Sequence, residues 1–244
     1  MNTGERATDI DADNLPEGED KRAAVRQMFD TIAPRYDLVN RIMTFRMDVG
    51  WRRKTVKALD LPPASRVLDL ACGTGDFCVE LAAGELQPMG SDLSFGMLEA
   101  ARTDAPLMHA DALALPVADR AVDGATCGFA LRNLVELNGF FDEVARVVRP
   151  GGRVAFLDVA EPPNRFMRWG HGIYFDKVVP WIGGKLSDPA AYRYLPKSVA
   201  YLPEPDDLLR SLRSHGFADA QRRLFSGGIA QLFVATRDRE LPPP

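Results

Sequence analysis

Val67-Leu68-Asp69-Leu70-Ala71-Cys72-Gly73-Thr74-Gly75-Asp76 is an apolar run closed by an acid, a Gly-x-Gly turn and a second acid. The run from Arg66 to Ala71 reads as a buried parallel strand that delivers the chain into a tight loop opening a helix. Gly73 and Gly75 have no Cβ, so they can take positive φ and let a ligand come close to the backbone. Asp92 ends a second short apolar run, Pro88 to Ser91. A carboxylate at the tip of a second parallel strand can accept both hydroxyls of a ribose, so a nucleoside-containing cofactor fits.

A dinucleotide site usually continues the pattern with a third Gly or Ala; here that position is Cys78. Asp69 and Asp76 flank the loop. Carboxylates repel a pyrophosphate and pair with an ammonium, so the loop suits a ligand with a cationic amino-acid end. The block together with Asp92 resembles the class I S-adenosylmethionine-dependent methyltransferase signature.

With 244 residues and 46% hydrophobic content, the chain can bury one full α/β core. No run of eighteen apolar residues predicts a membrane span, and no basic-then-apolar start predicts a signal peptide. Cys72, Cys78 and Cys127 have no zinc spacing, so neither a metal site nor a disulfide framework is expected, and a cytoplasmic location is the default. Residues 1–20 carry a net −6 of the total −4, leaving +2 for the rest. That acidic segment predicts disorder. No basic stripe points to nucleic acid.

Downstream, strands are expected near 66–71, 87–92, 107–110, 122–128 and 152–159, with helices near 76–83, 95–103, 138–148 and 204–215. Before them, residues 21–63 form a helical cap: a helix over 21–31, a break at Pro34, and a second helix over 47–59. Two runs, 218–225 and 229–236, flank Ser226-Gly227-Gly228 and read as a hairpin; Pro242 to Pro244 should fray. The predicted class is α/β: a doubly wound, mostly parallel seven-stranded sheet with an antiparallel C-terminal hairpin in a domain spanning 21–238.

Several blocks are similar to those of the ubiquinone/menaquinone biosynthesis C-methyltransferase family. They are Tyr36-Asp37-Leu38-Val39-Asn40 followed by Trp51-Arg52-Arg53, Gly128-Phe129-Ala130-Leu131-Arg132-Asn133, Arg149-Pro150-Gly151-Gly152, and Ser187-Asp188-Pro189 leading to Tyr192-Arg193-Tyr194-Leu195. The resemblance implies S-adenosylmethionine as cofactor and C-methylation of a lipid-tailed quinol, most directly demethylmenaquinol. It implies Asp69, Gly73, Thr74 and Gly75 as cofactor-binding residues, joined by Asp92, Asp111, Ala112 and Gly128. An acid such as Asp111 would touch the adenine amino group; its plainer reading is a turn residue. Arg132, Asn133, Tyr192, Tyr194 and Asp37 are the catalytic candidates, Arg132 as the cation beside a phenolate.

The chain departs from the family pattern at three places: Leu157-Asp158-Val159-Ala160 where Leu-Glu-Phe-Ser is usual, Gly128 for a Ser, and Phe233 for a His. These are expected beside the cleft and leave open a ubiquinone-precursor or secondary-metabolite acceptor. A non-catalytic cofactor-binding scaffold and a nicotinamide dehydrogenase are the readings from other classes. Residues 163–186 are aromatic-rich with interleaved cations; residues 163–200 are expected to form a substrate lid, a helical insertion packed on the sheet being the plainer reading. Peripheral contact with the inner face of the cell membrane and a homodimer are the remaining partner expectations.

Overall fold

The computed structural model describes residues 18–174, 194 and 198–238. Residues 1–17, most of the expected lid, Tyr192 and the C-terminal prolines lie outside them. The strands are β1 (Arg66–Leu70), β2 (Gln87–Asp92), β3 (Leu107–His109), β4 (Val122–Gly128), β5 (Val148–Val159), β6 (Gln221–Phe225) and β7 (Ala230–Thr236). They form one seven-stranded sheet in the order β3-β2-β1-β4-β5-β7-β6. β1 to β5 pair in parallel, and β7 runs antiparallel to both β5 and β6.

The apolar reading of β1 follows from burial on both faces, as a parallel sheet covered on each side requires. Leu68 and Leu70 pack with Phe140, Phe141, Val144 and Phe156 in one core. Val67 points the other way, into a core with Leu59, Leu81, Ala155 and Val234. Helix α6 (Leu137–Val147) supplies the first face; α3 (Met47–Leu59) and α4 (Asp76–Ala83) supply the second. Phe233 belongs to the first core and is 1% exposed. The expectation that it lies beside the cleft is therefore corrected: strand alternation turns it inward against the sheet's helix face.

Helix α1 (Gly18–Ile32) starts slightly before the expected position. Glu19 and Asp20 sit in its first turn, where acids favour the helix dipole. Pro34 interrupts it as expected, and α2 (Tyr36–Met43) follows. Helix α5 (Phe95–Glu99) is shorter than its pattern suggests, because the chain turns back and Arg102 N–H donates to the Thr74 carbonyl at 2.9 Å. The last helices are α7 (Arg165–Ile173) and α8 (Pro205–Ser214). Among the described residues, no helix is long and apolar enough to cross a membrane.

Asp69, on β1, is 1% exposed. The Thr126 hydroxyl donates to its Oδ1 at 2.7 Å and the Cys78 thiol lies 3.9 Å from its Oδ2. Burial outweighs these bonds and the charge of Arg52, and pushes its carboxyl up to about 7. The folded protein thus keeps a proton on Asp69 between about pH 4, where a free carboxyl titrates, and about pH 7. The stability that this proton preserves is lost as pH rises through that window. Asp69→Asn keeps the acceptor for Thr126 and should flatten the slope. Urea unfolding of both proteins at pH 5 and pH 8 is the check, and an equal slope in the two proteins would refute it.

Candidate functional site

At the carboxyl ends of β1, β2 and β4 the glycine loop opens onto a cavity of about 120 Å³. Gly73 takes φ +56°, and a Cβ there would project into open space; Gly75 takes φ +85°, and its Cβ would come within 2.5 Å of Thr103 Cγ2. Both positions thus need glycine, the second also for packing. Gly73 N–H donates to Asp92 Oδ2 at 2.7 Å and Ser94 N–H to Oδ1 at 2.8 Å. Burial raises Asp92 despite these two bonds. Each oxygen keeps a lone pair for a further donor.

Asp111 and Ala112 border the same cavity. Asp111 Oδ1 accepts from Leu113 N–H at 3.0 Å, and Oδ2 is paired with Arg22 of α1. Gly128 borders it too, and a Cβ there would overlap the Phe77 ring. Asn133 faces this cavity, with its amide nitrogen buried and without a partner. Arg22, Val25 and Phe29 cover the opening, and the volume is below the ~300 Å³ of an ordinary ligand site. A nucleoside-sized ligand therefore needs more room than the cavity offers while Arg22 is paired with Asp111.

Asp69, Thr74 and Asp37 are not among the residues bordering this cavity. Asp69 lies beneath the loop. Thr74 Oγ1 donates to Asp37 Oδ1 at 2.5 Å, so the pair ties α2 to the glycine loop, and Asp37, a catalytic candidate in the sequence, borders neither this cavity nor the one described next. Tyr194 is fully buried in the cluster of Met28, Ile32, Val39 and Met97, and its hydroxyl donates to Asn133 Oδ1 at 3.3 Å. It orients the amide from behind. The placement of Tyr192 lies outside the described residues.

A second cavity, of about 400 Å³, lies between α2, α3 and α7. Most of its wall is apolar, including Met43, Phe45, Trp51, Phe166 and Met167; Asn40, Thr44, Asp48, Arg52 and Arg132 supply polar groups. Arg132 donates through Nε to Ser198 Oγ at 3.0 Å and is paired through Nη1 with Asp158. The Asp158 of the divergent Leu-Asp-Val-Ala segment is fully buried, and its Oδ2 has no partner.

Tyr36 and Phe129 border both cavities, so the two chambers share a wall of two side chains. Phe129 holds φ +59°, a conformation uncommon for a bulky residue and typical of sites where the surroundings over-determine the backbone. Burial raises the Tyr36 phenol. Sequence reasoning missed both residues as lining groups. Tyr36 stands in the Tyr-Asp-x-x-Asn block beside an acid that draws the eye first; nothing in the local pattern singles out Phe129.

The family model described as "ubiE/COQ5 methyltransferase family" matches residues 17–237. A demethylmenaquinone methyltransferase of Roseiflexus castenholzii is 41% identical over 233 residues, 91% of this chain and 97% of that protein. A ubiquinone/menaquinone biosynthesis C-methyltransferase UbiE of Syntrophotalea carbinolica is 38% identical over 221 residues, covering 87% and 93%. An S-adenosylmethionine-dependent methyltransferase structure from Thermotoga maritima superposes with a TM-score of 0.63 at 17% identity, covering 87% of this chain and 99% of that one.

The polar groups of the first cavity suit S-adenosylmethionine, the cofactor of such enzymes: a carboxylate acceptor in Asp92 and an unsatisfied amide donor in Asn133. Asp92→Asn should weaken cofactor binding by about tenfold or more, because a charged acceptor of hydroxyl donors is lost. Calorimetric titration reads this directly, and an unchanged affinity would remove Asp92 from the ribose role. With a family match over residues 17–237 and relatives about 40% identical over most of its length, the chain belongs to the ubiE/COQ5 methyltransferase family.

Proposed function

We propose that this enzyme methylates a ring carbon of a prenylated quinol, with demethylmenaquinol as the acceptor. The observation that carries the reading is the two-residue wall: a mostly apolar chamber of ligand size abuts the cofactor chamber at Tyr36 and Phe129. The names of the similar proteins supply the acceptor. When bound, S-adenosylmethionine supplies the methyl: the new bond forms to a ring carbon, the carbon–sulfur bond breaks with its electrons left on sulfur, and the ring carbon releases a proton.

The protein's part is alignment and exclusion of water. Trp51, Met43 and Phe129 hold the ring, and Tyr36 narrows the passage between the chambers. Arg132 presents a cation at the acceptor wall, where it stabilises a deprotonated quinol oxygen. Asp158 and Ser198 fix its direction. A water takes the ring proton; the Tyr36 phenol, kept protonated by burial, cannot be the base. Asn133, expected to act on the acceptor, faces the donor instead.

Labelled S-adenosylmethionine with reduced, detergent-solubilised demethylmenaquinol should give a product one methyl heavier. A benzoquinol acceptor methylated in its place would move the acceptor assignment to the ubiquinone series. Removing Arg132 alone strands a buried carboxylate, at about 3–5 kcal/mol. The double variant Arg132→Gln, Asp158→Asn should recover most of that stability and still lose turnover by about a hundredfold. Recovered turnover would exclude Arg132 as the oxyanion partner.

The rim of the acceptor chamber supports a membrane-facing role. Phe45, Phe166 and Trp169 are 72%, 78% and 66% exposed, and Arg46, Arg165 and Arg168 stand beside them on the same helices or turns. Aromatic side chains with interleaved cations suit the headgroup region of an anionic bilayer. Trp169→Glu should reduce flotation with anionic vesicles severalfold and leave cofactor affinity unchanged; undiminished flotation would count against this face.

A further inference from the structure

Asp48 is the one carboxylate among the described residues that borders the acceptor chamber. Its side chain is 2% exposed. Thr44 Oγ1 donates to Oδ1 at 2.6 Å, and Arg52 Nη1 donates to Oδ2 at 2.5 Å. Burial alone would raise this carboxyl, but the Thr44 bond and the Arg52 charge outweigh it and hold Asp48 below the usual carboxylate range. Asp48 is therefore an anion at neutral pH, and an ionised carboxylate only accepts hydrogen bonds. Arg52 is shared with Asp76 Oδ2 at 3.1 Å, and its guanidinium lies 5.7 Å from the Phe129 ring centre. The group that fixes Asp48 thus also touches the wall between the chambers.

An acceptor ring of the proposed class exists in two forms. The reduced form carries hydroxyls, which donate; the oxidised form carries carbonyl oxygens, which only accept and are repelled by an anion. We propose that Asp48 selects the reduced ring. It accepts a hydrogen bond from one quinol hydroxyl, which also sets the ring's rotation in the chamber, and it rejects the quinone. The discrimination has a chemical purpose, since only the reduced ring has a nucleophilic carbon. A quinone of the same shape would otherwise occupy the chamber unproductively. Both Asp48 oxygens already accept one bond within the protein, so a quinone carbonyl brings a further acceptor against a fixed negative charge with no proton to place between them. This role rests on the quinol reading above and names what distinguishes substrate from its oxidised twin.

The test measures methyl transfer to a short-tailed demethylmenaquinol, with the oxidised quinone as inhibitor. Cofactor affinity serves as the control for folding. In the unsubstituted enzyme the quinone inhibition constant should exceed the quinol KM by tenfold or more. Asp48→Asn, which turns one oxygen into a donor, should lower that ratio at least tenfold by tightening quinone binding and raising the quinol KM. Asp48→Glu keeps the charge and should keep the ratio above that of the Asn variant. If Asp48→Asn does not fold, Asp48→Ser removes the charge and carries the same comparison. An unchanged ratio in a neutral variant that still binds cofactor overturns the role of Asp48. Absence of any transfer by the unsubstituted enzyme overturns the quinol reading, and this inference with it.

Discussion

Arg52 is the interaction on which the site's architecture hangs. Its guanidinium is buried between Asp48 and Asp76 and over the faces of Phe77 and Phe129. Asp76 is the first residue of the helix after the glycine loop, and Arg41 reaches it too, at 3.3 Å. The cap is therefore tied to the loop through ion pairs as well as through the apolar packing of Trp51 on Phe77 and Leu59 on Leu81. Burying so much charge is tolerable only with every partner in place, and loss of one partner from such a cluster costs about 3–5 kcal/mol. The apolar contacts supply adhesion and the directional ion pairs supply register over the sheet edge.

That register creates two chambers of opposite character. On one side stand carboxylates, backbone amides and an unsatisfied side-chain amide, suited to a polar nucleoside. On the other stand aromatic and sulfur-containing side chains with a few anchored charges. The sheet supplies the rigid rim, as open α/β sheets do at the carboxyl ends of their strands. Phe129, whose side chain borders both chambers, is held at a positive φ that a bulky residue rarely adopts.

The parts legible in the sequence were those with short-range causes. The β1 run, the Gly-x-Gly turn, Asp92 and the Ser226-Gly227-Gly228 hairpin each follow from periodicity or turn chemistry over a few residues. What escaped was set by contacts between distant segments. Arg22 meets Asp111, and Arg132 meets Asp158 and Ser198; no window contains either set. Asp37 draws a catalytic expectation because it is acidic and sits in a distinctive block. Helical geometry turns it toward Thr74 and leaves Tyr36 at the passage. Asn133 follows Arg132 immediately, yet the tight turn over Leu131–Asn133 sends the two side chains to different chambers.

The two chambers are covered by different elements, α1 over the donor side and the α7 rim over the acceptor side. The donor-side cover is held in part by a surface ion pair, Arg22 with Asp111, whereas the acceptor-side cover rests on apolar side chains such as Phe166 and Met167. Salt weakens the first kind of contact and strengthens the second, so ionic strength acts on the two chambers in opposite directions.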